Sequence, residues 1–276
     1  MRIALITDTH IARPAGPVHA NLMAVRRWVA RTAPAMTLHL GDVTAEGASH
    51  PEQLEAAATV FADWPGPLHV LPGNHDVGDN DHAARPHGQP AVDAARLDRH
   101  RRLFGPDRFH LRAGRWSLIG LDAQLLGSGG EEAEQDAWLD ETLAAVEGPV
   151  ALFLHKPLFL DGPNETALHQ RYVPPEPRAR LLARFAGRDL RLVACGHTHQ
   201  FRRRMVEGVE HVWAPSCAFV VPDSMQPVMG EKVVGVLTLA LDDDAHAVEF
   251  VTPDGVVCND LLDQVDLYPQ LVKGRP

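Results

Sequence analysis

Five short apolar runs in this 276-residue chain each end in side chains that can bind a metal or move a proton. Arg2–Thr7 leads into Asp8-Thr9-His10, Met36–Leu40 into Gly41-Asp42, and Leu68–Leu71 into Pro72-Gly73-Asn74-His75-Asp76. Pro149–Leu154 leads into His155, and Leu190–Cys195 into Gly196-His197-Thr198-His199. A short apolar run stopped by Gly, Pro or polar residues reads as a buried strand. One such end means little, because an ordinary polar cap or a lone surface histidine explains it. Five form a pattern, since ligands of open α/β sheets bind beyond the carboxyl ends of the strands, where the five ends can meet. Gly73 fits an abrupt turn that a residue with a Cβ resists. The i, i+2 pairs Asp8/His10 and His197/His199 put both side chains on one face of an extended chain, as chelation requires.

Imidazole nitrogen combined with carboxylate and amide oxygen, without thiolate, suits Mn, Fe, Co or Zn. The eight candidate donors are Asp8, His10, Asp42, Asn74, His75, His155, His197 and His199. They are too many for one tetrahedral ion and enough for two ions that share a carboxylate. Two ions roughly 3.5–4 Å apart clamp the attacking and leaving oxygens of a phosphoryl transfer and lower the pKa of a bound water towards ~7.

Taken in order, Asp8-x-His10, Gly41-Asp42, Gly73-Asn74-His75-Asp76, His155 and Gly196-His197-x-His199 resemble the calcineurin-like metallophosphoesterase superfamily across residues 8–199. Their spacing and the Asp76 ending are similar to its class III branch of cyclic-nucleotide and glycerophosphodiester phosphodiesterases. The resemblance implies an α/β fold, a two-sheet β-sandwich with flanking helices in four αββα layers. It also implies a binuclear phosphodiesterase in which a metal-bridging hydroxide attacks phosphorus. Asp8, His10 and His199 are then expected on one metal, Asn74, His155 and His197 on the other, and Asp42 between them. Asn74 and His75 face the substrate, His75 as proton donor or phosphate contact held by Asp76. Two positions depart from the family pattern. Ala45 stands where relatives usually carry Tyr, Asp or His, which disfavours a purple acid phosphatase and leaves a supporting contact to be filled, with Glu46 the candidate substitute. Lys156 stands where close relatives often carry a second His, and reads as a surface cation or a phosphate contact.

The elements that must position these residues alternate. Helices are expected over Asn21–Ala33, Pro51–Asp63, Ala91–Phe104 and Glu131–Val146, the last with Trp138, Leu139 and Leu143 inward. Apolar runs alternating with helices predict a parallel core. Hairpins are expected over 108–121, 201–213 and 232–251. Residues 77–89 form a loop near the site, whose Asp79, Asp81, His82 and His87 are not needed as ligands. The long loop between His155 and Arg178 leaves from a ligand position, so His169, Arg171 and Tyr172 are candidates for substrate contact, with surface cover as the plain alternative. Gly127–Gly130 lacks the strand context of a dinucleotide fingerprint. Residues 1–252 form the catalytic domain, and 253–276 a tail that packs on the domain or on a partner subunit, which leaves a homo-oligomer open.

A net charge of −10 argues against broad nucleic-acid binding, which needs a basic surface. It leaves room for a small anionic phosphodiester, because bound metals supply local positive charge. Three cysteines without a CxxC pattern suit a reducing compartment. Asp8 and His10 interrupt the N-terminal apolar run, so no signal peptide is expected. Val233–Leu241, the longest apolar stretch, falls short of the ~18 residues of a membrane helix, and a soluble cytoplasmic protein is expected. The competing functions are a phosphomonoesterase and a non-catalytic metal-binding scaffold. Gly41-Asp42-Val43-Thr44-Ala45-Glu46 departs from the run typical of protein phosphatases. A scaffold predicts eroded ligands, whereas all eight positions are filled.

Overall fold

The computed structural model describes residues 1–86 and 88–268. Its first sheet grows from three parallel strands, β1 (Arg2–Ile6), β2 (Met36–His39) and β3 (Leu68–Val70). β11 (Val236–Leu241) runs antiparallel beside β1 and β12 (His246–Val251) beside β11, giving the order β12-β11-β1-β2-β3. The second sheet is β4 (Phe109–Ala113), β5 (Trp116–Gly120), β6 (Pro149–Phe153), β7 (Asp189–Cys195), β8 (Arg202–Val206) and β9 (Val209–Trp213). They stand in the order β4-β5-β6-β7-β9-β8, parallel from β5 through β9 and antiparallel at each edge. A small parallel pair joins β10 (Phe219–Val220) to β13 (Asn259–Asp260).

Period-two alternation builds the layers. Ile3 and Leu5 of β1 point between the sheets, where they pack with Leu38, Leu118, Phe153, Leu192 and Leu239. Ala4 and Ile6 point the other way, onto Leu22, Val25 and Val29 of α1 (Gly16–Thr32) and Ala57 and Phe61 of α2 (Pro51–Phe61). On the far side, Ile119, Val150 and Leu152 pack with Leu139 and Leu143 of α5 (Glu132–Ala144) and Leu181 of α6 (Pro175–Arg184). Helix, sheet, sheet and helix form four layers, as the family resemblance implies. α1 begins five residues before the sequence expectation because Pro17 fits a first helical turn, where its missing N–H has no partner to lose. α3 (Asn74–Val77) is a single turn that the polar composition of 74–77 concealed. Trp138 packs half-buried against the core beside Leu139 and Leu143, and Glu132 and Gln135 are also buried on α5. No helix among the described residues is long and apolar enough to cross a membrane.

α4 (Ala94–Phe104) carries His100 fully buried, with neither ring nitrogen hydrogen-bonded, against Phe104. Burial pushes its pKa down to about 4, and it does the same to His39, to about 3. The unfolded chain protonates these rings near pH 6.5, while the folded chain resists until about pH 4 for His100. The folded state is therefore at full strength above pH 6.5 and loses stability as pH falls through that window. Urea unfolding in the presence of chelator should show this acid slope, and His100→Leu should remove about one proton from it, worth up to ~3 kcal/mol at pH 4. An unchanged slope in His100→Leu would contradict the assignment.

Candidate metal centre

The backbone brings the strand ends together before any side chain acts. Asp8 N–H donates to Gly41 C=O (2.9 Å), His10 N–H to Asp42 C=O (3.1 Å), and Gly196 N–H to His155 C=O (2.9 Å). β1 is thus tied to β2 in the first sheet, and β7 to β6 in the second. Their side chains then converge in two groups. In one, Asp8 Oδ1 lies 3.2 Å from His199 Nε2 and 3.8 Å from His10 Nε2, and the two imidazole nitrogens are 3.1 Å apart. In the other, His155 Nε2 lies 3.1 Å from Asp42 Oδ2, 3.2 Å from Asn74 Oδ1 and 3.2 Å from His197 Nδ1. Asp42 also stands with His10 and His75 in a third donor triad, so it touches both groups.

These spacings fit a metal. Donors about 2.1 Å from one ion stand roughly 3.0–3.4 Å apart in octahedral or tetrahedral geometry. Asp8 Oδ1 is buried without a hydrogen bond, a state that is costly for a carboxylate oxygen unless a cation meets it. The electrostatics agree. Burial alone would raise the Asp8 and Asp42 carboxyls, but the imidazoles of His199 and His155 overcome it and hold both well below the usual range. Burial lowers His155 too, yet Asp42 outweighs it and lifts the ring to about 9, so an ion in this group would have to displace that proton. His10 is pushed down to about 4 by burial, which leaves its ring neutral and able to bind.

The extended-chain argument for the i, i+2 pairs does not hold. β1 stops at Ile6 and β7 at Cys195, and Asp8, His10, Asp42, His197 and His199 all take positive φ between 47° and 69°. Through left-handed turns rather than an extended chain, Asp8 and His10 still converge beside His199, whereas His197 parts from His199 and faces His155. The turn expected of Gly73 is also wrong: its φ is an ordinary −114°. Glycine is needed there for space, because a Cβ would stand 2.2 Å from Asp42 Oδ1.

Asp76 does not hold His75. Its fully buried carboxylate accepts from the N–H groups of Val43, Thr44 and Gly73 and from the Thr44 hydroxyl, which pins the Asp42 loop to α3. Burial, then the charge of Asp42, raises its pKa to about 6. His75 Nδ1 instead meets the Ala45 carbonyl (2.5 Å), so a backbone oxygen stands where a side-chain contact was expected. Glu46 reaches only His50, at 3.8 Å. Lys156 is neither a surface cation nor a phosphate contact: it is fully buried, bonded to Asp79 and, at 2.7 Å, to Asn80 Oδ1. Asp81 is paired with Arg85, half-buried His82 belongs to none of the donor groups, and His87 lies outside the described residues.

A cleft opens over Asn74 and His75 in two lobes. The larger, about 410 Å³, is lined by Glu46, Ser49, Gln89 and Pro90, and the smaller, about 210 Å³, by Gln170, Arg171, His197, Met225 and Gln226. Of the loop candidates, Arg171 reaches this cleft. His169 sits beside it, accepting from the Arg171 N–H, and Tyr172 is buried against Trp213 with its hydroxyl on Met229 Sδ. Sequence reasoning missed Phe219, whose carbonyl takes His199 Nδ1 (2.8 Å), and Tyr268, whose hydroxyl lies 2.9 Å from His10 Nδ1.

Comparison with known proteins bears on the family and the fold. A protein from Arcobacter nitrofigilis described as a probable glycerophosphodiester phosphodiesterase, GpdQ, is 26% identical over 212 residues, 72% of each chain. The serine/threonine-protein phosphatase CPPED1 of Pongo abelii is 27% identical over 142 residues, 49% of this chain and 42% of that one. Among solved structures, a yellow lupin purple acid phosphatase superposes with a TM-score of 0.66 at 14% identity, covering 94% of this chain and 52% of the lupin chain. This chain therefore spans about half the length of that plant enzyme. A dimetal phosphatase from Danio rerio superposes with a TM-score of 0.59 at 14% identity, over 91% of this chain and 95% of its own. At such identities the structures speak for the fold alone. The sequence profile of the calcineurin-like phosphoesterases matches residues 1–201, nearly three quarters of the chain, and the protein belongs to that family.

Proposed function

We propose that this protein hydrolyses small phosphodiesters with two metal ions, Mn, Fe, Zn or Co, seated in the two donor groups that meet at Asp42. The observation that carries this reading is the sharing of Asp42 between the groups. Asp8, His10 and His199 would hold one ion, Asn74, His155 and His197 the other. Bound there, the pair supplies Lewis acidity towards phosphoryl oxygens and lowers the pKa of a coordinated water.

The chain's own residues do the rest. His75 lines both lobes of the cleft, and the Ala45 carbonyl holds its Nδ1–H, so that in the imidazolium form the ring gives its second proton, from Nε2, to a departing alkoxide. Asn74 lies between the donor groups and the cleft. Two lobes on either side of His75 suit the two ester arms of a diester. Lys156 is committed to Asp79, so Arg171 is the one cationic side chain lining either lobe among the described residues. A monoester dianion favours more cations than that. The relative described as a probable glycerophosphodiester phosphodiesterase points the same way. Arg171 is also what favours the second reading, a phosphomonoesterase, because it can pair with a terminal phosphate.

Asp42→Ala should abolish activity and lower metal content, and two fully occupied ions in that variant would refute the shared site. His75→Ala should lower turnover roughly 10²–10⁴-fold with metal content intact. Loss of an ion on that change would make His75 a ligand. With one metal loading, kcat/KM should be higher for a bis(aryl) phosphate or a cyclic nucleotide than for an aryl monophosphate. The reverse order selects the phosphomonoesterase. For Lys156, truncation to Ala should destabilise the fold by about 3–5 kcal/mol, because it strands a buried carboxylate. The double change Lys156→Met with Asp79→Leu should recover most of that loss, and recovery of less than half of it would contradict the pairing.

A further inference from the structure

The chain that leaves β12 returns to the metal centre. The Asn21 side chain of α1 grips its backbone, accepting from Val257 N–H and donating to Val257 C=O, both at 2.8 Å. β13 then pairs with β10, Phe219 opposite Asn259, and the Asp260 carboxylate accepts from Leu262 N–H to start a turn. The Gln264 carbonyl accepts from the N–H groups of Leu267 and Tyr268, both at 3.0 Å. Tyr268 is thereby driven inward until 7% of it is exposed, among Ile11, Val18 and Phe219.

Its position there is chemically specific. An imidazole binds an ion through one nitrogen while the other carries the proton, and a hydrogen bond at the second nitrogen selects the tautomer and aims the ring. His10 and His199 both turn Nε2 towards Asp8, so Nδ1 is the nitrogen that needs an acceptor. For His199 the acceptor is the Phe219 carbonyl, on β10. For His10 it is the Tyr268 oxygen, in the segment that β13 begins. The Phe219 ring lies against both imidazoles, with centroids at 5.0 and 4.8 Å. One paired unit, β10 with the C-terminal segment, therefore sets both histidines of the Asp8 group.

We propose that residues 259–268 act as a clamp on this group, with Tyr268 as a positioning residue for His10, so that binding of the ion and docking of the segment are coupled. The inference rests on the metal-binding reading given above. By linkage, whatever strengthens one of the two events strengthens the other by the same factor.

The probe is zinc alone, competed against a chromogenic chelator. Tyr268→Phe keeps the ring and removes its oxygen. It should weaken one of two zinc equivalents about 10–100-fold and leave the melting temperature of the metal-free protein near that of the unsubstituted chain. In the unsubstituted full chain, zinc should slow proteolytic cleavage within 253–268, and Tyr268→Phe should lose that protection. Equal zinc affinity in the two proteins, or no zinc-dependent protection in the unsubstituted chain, overturns the clamp. A visible tyrosinate band in the ferric-loaded protein that disappears in Tyr268→Phe also overturns it, because the oxygen would then be a ligand. If the unsubstituted chain takes up no zinc at all, the metal-binding reading fails first, and the two failures are distinguishable.

Discussion

The arrangement depends on two carboxylates, Asp8 and Asp42, that have been taken out of water. A buried carboxylate is tolerated only beside positive charge or strong donors. Here the His197 N–H donates to Asp8 Oδ2 and the His75 N–H to Asp42 Oδ1, His155 stands against Asp42 Oδ2, and Asp8 Oδ1 faces the Nε2 atoms of His199 and His10 without a hydrogen bond, where a cation would complete it. The two carboxylates and these neighbours together come from all five strand ends. Packing two carboxylates and several imidazoles so tightly is unfavourable unless every approach is held, and the sandwich holds them by closing both sheets on one edge.

Backbone strain records the cost of that closure. Seven non-glycine residues among those described have positive φ, and five of them are proposed ligands. Each such residue carries a penalty of order 1–3 kcal/mol, which persists only where the surroundings over-determine it. The ties do this locally. Asp76 binds three backbone N–H groups across the Asp42 loop and α3, and Lys156 pins the chain after His155 to Asp79 and Asn80. Neither residue reaches the substrate cleft by a polar contact. Both stiffen what does.

Much of this was legible in the sequence. Five apolar runs, each broken by Asp, Asn or His, located five of the parallel strands to within a residue or two, because burial on both faces imposes a continuous apolar run. The donors were legible for a related reason: a strand end that must present a ligand cannot hide it among polar neighbours. What failed was local conformation. Asp8-x-His10 and His197-x-His199 look extended by spacing, and although Asp and His enter the left-handed region more readily than most residues, that preference is too weak to announce a turn at any one position. Asp76 beside His75 invited a side-chain pairing, although a buried carboxylate does better with the four donors of two crossing loops. Lys156 looked free because its partner Asp79 sits in a segment read as open loop.

The remaining gap has a single physical origin. Three of the histidines proposed as ligands are aimed through the nitrogen that points away from the centre: His155 Nδ1 to the Leu40 carbonyl (2.8 Å), His199 Nδ1 to the Phe219 carbonyl, and His10 Nδ1 to Tyr268. His197 is reversed, with Nδ1 turned inward to His155. A carbonyl acceptor leaves no trace in residue type, since every residue has one. The sequence can therefore name the histidines that could bind but not which nitrogen each one offers. Tyr268 is the exception, a side-chain acceptor with an identity of its own, yet it lies 258 positions from His10 and outside any local pattern. The contacts that decide how a metal is held are thus the ones a motif is least able to carry. A family pattern ending at His199 can describe the donors fully and still omit part of what positions them.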